Sequence, residues 1–153
     1  MQTKSLLSGA ALCAVLVGCQ STPMGAFAKG TKLDCDGTKA CTVAVSAICS
    51  ADPQQNCEIT VNPELVILRS SGGNSKITWE LPQGSDFSFP PIADSSPGIE
   101  IDNAAFDCKE DGKLKFACTS KRKDFGVFKY TINLKDSKGS RKATPLDPWV
   151  VNN

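Results

Sequence analysis

Cys41-Thr42-Val43-Ala44-Val45-Ser46-Ala47 and Cys57-Glu58-Ile59-Thr60-Val61-Asn62-Pro63 decide the fold. In both stretches the odd positions carry residues able to face a core, while most even positions are small or polar. That period of two is the signature of a strand with one buried face. Between them, Ala51-Asp52-Pro53-Gln54-Gln55-Asn56 is a turn cluster. If Cys49 and Cys57 close the hairpin, Ala47 falls opposite Ile59 and Val45 opposite Val61. Every inward residue then meets an inward partner, as a buried sheet face requires.

The same signals continue along the chain. Leu65-Val66-Ile67-Leu68 is apolar on both faces, as expected of a strand covered on two sides. Lys76 to Leu81 alternates, with Ile77, Trp79 and Leu81 on one face. Residues 82–97 contain Pro82, Pro90, Pro91 and Pro97, which deny ladder hydrogen bonds, so this stretch is expected to be a loop crossing between sheets. Strands follow at about residues 99–101, 104–108 and 114–118, the last two joined by a turn containing Asp111-Gly112. Gly126 to Leu134 is the strongest strand, with Phe128, Tyr130, Ile132 and Leu134 on one face. Trp149-Val150-Val151 is the last. No helical period occurs over these stretches, and about eight strands with frequent turns predict an all-β, antiparallel, disulfide-bonded β-sandwich.

The N-terminus is different material. Met1 to Lys4 carries one positive charge, and Leu6 to Val17 is a mostly apolar run too short to span a bilayer. A charged start followed by such a run is the pattern of an export signal. Leu16-Val17-Gly18-Cys19 resembles the lipobox of bacterial lipoproteins, which implies lipidation of Cys19. Ala26-Phe27-Ala28 resembles an ordinary cleavage site and is the alternative exit. The lipobox is expected because it directly follows the apolar run. The resulting division is a signal peptide over 1–18, a flexible tether over 19–32 and a sandwich domain over 33–153. The small polar tether would span roughly 20 Å as a flexible coil.

The chain has 153 residues and eight cysteines. Cys13 leaves with the signal and Cys19 is lipidated or removed. The remaining even set, Cys35, Cys41, Cys49, Cys57, Cys108 and Cys118, points to a disulfide framework in an exported domain. Spacing favours Cys35–Cys41, Cys49–Cys57 and Cys108–Cys118. A tight two-residue turn at Asp111-Gly112 would instead set Cys108 opposite Lys115, and a bridge from Cys35 or Cys41 to the C-terminal hairpin stays open. With no Cys-x-x-Cys and no histidine in the chain, zinc binding and dithiol redox chemistry have little support.

The absence of histidine also excludes Ser-His-Asp and Cys-His catalysis. Asp34 and Asp36 flank Cys35, and Asp107, Glu110 and Asp111 surround Cys108; both sets read as solvated turn carboxylates rather than calcium ligands. The net charge of +1 argues against a nucleic-acid partner, and Lys121-Arg122-Lys123 is too small to make a basic face.

Asp124-Phe125-Gly126-Val127-Phe128-Lys129-Tyr130 resembles the D-x-G-x-Y-x-Y/C segment entering the F strand of immunoglobulin-like domains, with Phe128 at the corner tyrosine. Position 130, where the bridge cysteine would stand, is tyrosine. Trp79 resembles the core tryptophan of such sandwiches. Together with Ile77-Thr78-Trp79-Glu80-Leu81 and Leu146-Asp147-Pro148-Trp149-Val150-Val151-Asn152, the C-terminal half resembles uncharacterised bacterial exported or lipoprotein β-sandwich proteins of immunoglobulin/cupredoxin-like architecture. That resemblance implies no activity. A cupredoxin copper site needs two histidines, so it is excluded.

The expectation is a non-enzymatic module of the bacterial cell envelope, an outer-membrane lipoprotein facing the periplasm or a soluble periplasmic protein. Its partners would be an envelope protein, a cell-wall component and the membrane holding its lipid. No cofactor, metal or catalytic residue is assigned. The alternatives are a histidine-free carboxylate-dependent hydrolase, an inhibitor of a lysozyme-type hydrolase, and an assembly subunit using an exposed edge strand. The expected binding loop is Phe87, Phe89, Pro90 and Pro91, because contacts concentrate on loops held by a rigid scaffold; the competing role for its aromatics is to plug an open end of the sandwich.

Overall fold

The computed structural model describes residues 31–35, 41–69, 75–102, 104–121 and 125–152. The signal segment 1–18, the lipidation site Cys19 and nearly all of the tether 19–32 lie outside the described residues, as do Asp36, Arg122, Lys123 and Asp124.

Two sheets face each other. The larger contains β13 (Ala143–Thr144), β3 (Cys57–Asn62), β2 (Cys41–Ile48), β5 (Lys76–Glu80), β9 (Lys115–Ser120) and β8 (Phe106–Glu110), in that order. The smaller contains β1 (Lys32–Cys35), β4 (Leu65–Leu68), β14 (Trp149–Asn152) and β10 (Gly126–Lys129). Two short ladders, β11 (Thr131–Ile132) on β7 (Ile99–Glu100) and β12 (Lys135–Asp136) on β6 (Phe87–Ser88), join the ends. No helix occurs among the described residues, and the disulfide-bonded, all-β sandwich expected from the sequence is present.

Its hydrogen bonding is mixed rather than purely antiparallel, and it uses more, shorter strands than the eight expected. β1, β4 and β14 run parallel, as do β2 and β5, and β3 and β13. The cause is the chain path. Outside the β2–β3 and β8–β9 hairpins, successive strands lie in different sheets, so many spatial neighbours come from distant parts of the sequence and can arrive in the same direction. A cis Asn62–Pro63 bond lies at one such passage, from β3 to β4.

The opening hairpin has the register read from its alternation, Ala47 opposite Ile59 and Val45 opposite Val61. Val43, Val45, Cys57 and Ile59 are buried beneath it. Val66 and Leu68 of β4 and Val150 of β14 close the core from the smaller sheet, each contributing about 1.5–3 kcal/mol by leaving water. Leu65 and Ile67, on the opposite face of β4, are only half-buried. β4 is therefore covered on one side, not two, because a two-layer sandwich leaves each sheet an outer face.

The segment 126–134 keeps its predicted inner face but not its continuity. Tyr130 and Ile132 are buried, with Phe128 and Leu134 half-buried. β10 pairs with β14, whereas β11 pairs with β7, so the chain changes partner between Lys129 and Thr131. The 82–97 connection is a loop except for β6, a two-residue strand on β12.

The bonded cysteines are Cys35–Cys41, Cys49–Cys57 and Cys108–Cys118. Cys108 sits directly opposite Cys118 because the β8–β9 loop is longer than a two-residue turn. Asp111 N–H donates to the Lys115 carbonyl at 2.9 Å, and Gly112 supplies the left-handed φ of 80° that the loop needs.

Candidate functional site

The expected binding loop closes one end of the sandwich. Phe87 and Phe89 are each only 5% exposed and Pro90 is buried; Pro91 alone of the four faces solvent. Phe89 packs against Phe116 with ring centroids 6.1 Å apart and planes inclined by 60°. Gly98 fits beneath them, since a Cβ there would lie 2.7 Å from the Phe89 Cβ. The two aromatics pack into the apolar interior, which an open sandwich end would otherwise expose to water, and all four residues also border the clefts on either side: Phe87 one, and Phe89, Pro90 and Pro91 the other.

Clefts flank the β6–β12 ladder. One of about 530 Å³ is lined by Ser46, Ser85, Asp86, Phe87, Lys138 and Arg141. Another of about 510 Å³ lies against Phe89, Pro91, Glu110, Lys113 and Lys135. Asp136 borders both, yet its carboxylate is occupied. It accepts the Lys138, Ser140 and Arg141 N–H groups and the Ser140 hydroxyl at 2.9–3.0 Å. The Lys138 amide leads these donors in holding the acid below the usual carboxylate range, against the opposing effect of burial. Asp86 is ion-paired with Lys138 at 3.0 Å. A glycosidase-type pair needs one carboxylic acid held protonated; Asp136 is biased in the other direction.

Other acids are also engaged, Asp34 and Asp147 each by two partners. Asp34 accepts from Arg69 at 2.9 Å and Glu80 from Lys115 at 2.9 Å. Glu110 accepts the Ile92 N–H at 3.3 Å. Among the described residues no three His, Cys, Asp or Glu side chains group as a metal site.

An apolar surface lies instead on the outer face of the smaller sheet. The strand registers place Leu65 beside Trp149 and, in the next outward row, Ile67, Val151 and Val127 side by side. Phe125 immediately precedes β10. Leu65, Ile67, Trp149 and Val151 are half-buried, while Val127 is 60% and Phe125 66% exposed. Lys32, Asp34 and Lys129 stand in these rows at the sheet's two margins, and Lys129 is bonded to Asp147 at 2.7 Å. A contiguous apolar patch with a charged rim is the pattern of an interaction surface.

None of these residues stood out as functional in the sequence, although a signal was there. Residues 65–68 and 149–151 are apolar on both faces, and Val127 interrupts the polar phase opposite Phe128 and Tyr130. Two-sided apolarity means burial on both sides or a sticky outer face, and sequence spacing alone does not separate the two.

No family model matches the chain, and no curated protein matches it in sequence. Among solved structures, a cysteine protease inhibitor from Entamoeba histolytica is similar at a TM-score of 0.37 with 11% identity, over 74% of this chain and 95% of that one. A Met148Leu variant of rusticyanin is similar at 0.31 with 17% identity, over 84% and 89%. Reduced rusticyanin is similar at 0.30, over 84% and 92%.

Proposed function

We propose that this protein is a non-enzymatic module of the bacterial cell envelope that binds another protein through the apolar outer face of its four-stranded sheet. The observation that carries this reading is the exposure of Phe125 and Val127 at the margin of a face also formed by Leu65, Ile67, Trp149 and Val151. Leaving such side chains in water is unfavourable, at about 25 cal/mol per Å² of apolar surface, so covering them drives association. Three disulfides fit an exported protein, because such bonds persist in oxidising compartments. Attachment to a membrane through a lipid on Cys19 belongs to the same proposal.

The test is capture from envelope extracts by the oxidised protein, compared with a Phe125→Asp/Val127→Lys variant of unchanged circular dichroism. One stoichiometric partner, lost in the variant, is expected. Capture that survives both substitutions overturns the assignment of the surface. Acyl labelling that disappears in Cys19→Ser supports the anchor, and a mature N-terminus at Lys29 overturns it.

A further inference from the structure

The chain from Lys135 to Lys142 folds back on itself between β12 and β13, and it carries four cations against one carboxylate, Asp136. That acid does not neutralise them. Its two oxygens take the Lys138, Ser140 and Arg141 N–H groups and the Ser140 hydroxyl. It is committed to shaping the loop, in which Gly139 supplies the left-handed φ of 70° at the bend. Lys138 is paired with Asp86 at 3.0 Å. Lys135, Arg141 and Lys142 have no ion pair among the described residues.

The placement of these three is unusual. Lys135 and Lys142 stand directly opposite each other in an antiparallel bridge. Opposed residues of such a pair have Cβ atoms about 4.5–5.5 Å apart on one face, where like charges are destabilising. Both lysines and Arg141 border one cleft of about 360 Å³, and the one acid among the described residues on its wall is the engaged Asp136. Elsewhere cations lie beside carboxylates: Arg69 beside Asp34, Lys115 beside Glu80, Lys129 beside Asp147. The loop is also firmly seated. Cys57, bonded to Cys49, donates its N–H to the Lys142 carbonyl at 2.7 Å, and Ser137 N–H donates to the Asp86 carbonyl at 2.8 Å. The three cations are therefore gathered before any ligand arrives, which lowers the ordering cost of binding.

We propose that this loop is a binding site for a phosphate-bearing ligand, held between Lys135 and Lys142 and met by Arg141. A phosphate monoester brings a charge of about −1.5 to −2 and three strong acceptor oxygens, which suits three unpaired cations better than the single charge of a carboxylate. The arginine fork can take two oxygens while the lysines act as point charges. The ligand relieves the repulsion between the opposed lysines, so the contacts that bind it also stabilise the fold. Soluble phosphate compounds and phospholipid headgroups present this same group. The site is separate from the apolar face assigned above to a protein partner and does not rest on that reading.

The test is a titration of the purified, oxidised protein at low ionic strength with inorganic phosphate and pyrophosphate, followed by heteronuclear NMR, alongside co-sedimentation with phosphatidylglycerol vesicles. Acetate and phosphatidylcholine vesicles are the controls. Saturable shifts centred on residues 135–142 are expected, with a rise in melting temperature as phosphate is added. Lys135→Gln and Lys142→Gln should each weaken binding by at least about tenfold, the loss of one charge-assisted hydrogen bond. Lys76→Gln and Lys109→Gln, on β5 and β8, should leave it unchanged. Without phosphate, Lys142→Gln should melt no lower than the parent, because it removes a like-charge opposition.

Saturable binding of the free anions assigns a soluble ligand, and binding confined to phosphatidylglycerol vesicles assigns a headgroup; either supports the site. Acetate binding as tight as phosphate, equal losses in Lys76→Gln, or no response to any of the three probes overturns it. A lower melting temperature for Lys142→Gln in the absence of phosphate would make that lysine a support of the fold, and the proposal would fall with its premise.

Discussion

The indole of Trp79 and the ring of Tyr130 pack with centroids 5.2 Å apart and planes inclined by 57°, joining the larger sheet to the segment between β10 and β11. Both side chains are almost completely buried. Neither Trp79 Nε1 nor Tyr130 Oη has a hydrogen-bond partner among the described residues.

Burial pushes the Tyr130 hydroxyl up to about 12; the nearby Trp79 indole opposes the shift without reaching hydrogen-bond geometry. Tyr130 is the only tyrosine of the chain, so ultraviolet titration reports it alone. It is expected to ionise well above the ordinary value near 10 while the protein is folded. A folded-state pKa raised above the unfolded one leaves stability intact below about pH 10 and removes it as pH rises through the folded value. Two pH units correspond to about 2.7 kcal/mol. Tyr130→Phe should abolish this alkaline loss, and at neutral pH match or exceed the parent by up to about 1–3 kcal/mol, because it removes an unsatisfied buried hydroxyl. Tyrosinate absorbance appearing near pH 10 before any unfolding would contradict the burial.

Asp136 predicts the acid limb. Its carboxylate is held low by the Lys138 amide first and by the Ser140 and Arg141 donors after it. A depressed folded-state pKa contributes stability above the unfolded value, near 3.8, and that contribution is lost as pH falls through the folded one. Asp136→Asn should lower the melting temperature at pH 7 and flatten its fall below pH 4. Parallel melting curves for both proteins across that range would count against the assignment.

The Phe89 plug and Gly98 make a packing test. Gly98→Ala would place a Cβ 2.7 Å from Phe89 Cβ and 3.0 Å from the Phe116 ring, an overpacking expected to cost about 1–3 kcal/mol in urea unfolding. Phe89→Ala should cost about 3–5 kcal/mol, whereas Pro91→Ser should stay within about 0.5 kcal/mol. A loop devoted to ligand contact would show the opposite order, with Pro91 and Phe89 changing affinity and not stability.

Cys49 and Cys57 close the hairpin from which the fold was read, and Cys57 is fully buried. Replacing both with alanine should cost about 2–5 kcal/mol, measured by denaturant under oxidising conditions. An unchanged midpoint would mean that the alternating register, not the bridge, holds the hairpin.

Alternation made much of the sandwich legible in advance. Val45 against Val61, the inward Ile77 and Trp79, and the inner face of 126–134 all follow from side chains that change sides at each residue. What alternation does not encode is the partner of a strand. Lys129 and Thr131 are two residues apart on one run, yet they pair with β14 and β7 respectively. The parallel placement of β1, β4 and β14 brings together residues from the beginning, middle and end of the chain, a relation set by packing of the whole molecule. The Cys108–Cys118 bond shows the same limit locally: Asp-Gly suggested a tight turn, and the observed loop is longer.

By itself, the sequence determined the all-β class, the hairpin register, the cysteine spacings that suit local bridges, and the exclusion of histidine chemistry. These depend on residue type and on separations of a few residues, where covalent geometry leaves little choice. Tertiary structure decided which side of an apolar strand meets water. Phe87 and Phe89 were drawn into an open end of the sandwich, while Phe125 and Val127 were left exposed, because burial depends on what the rest of the chain places overhead.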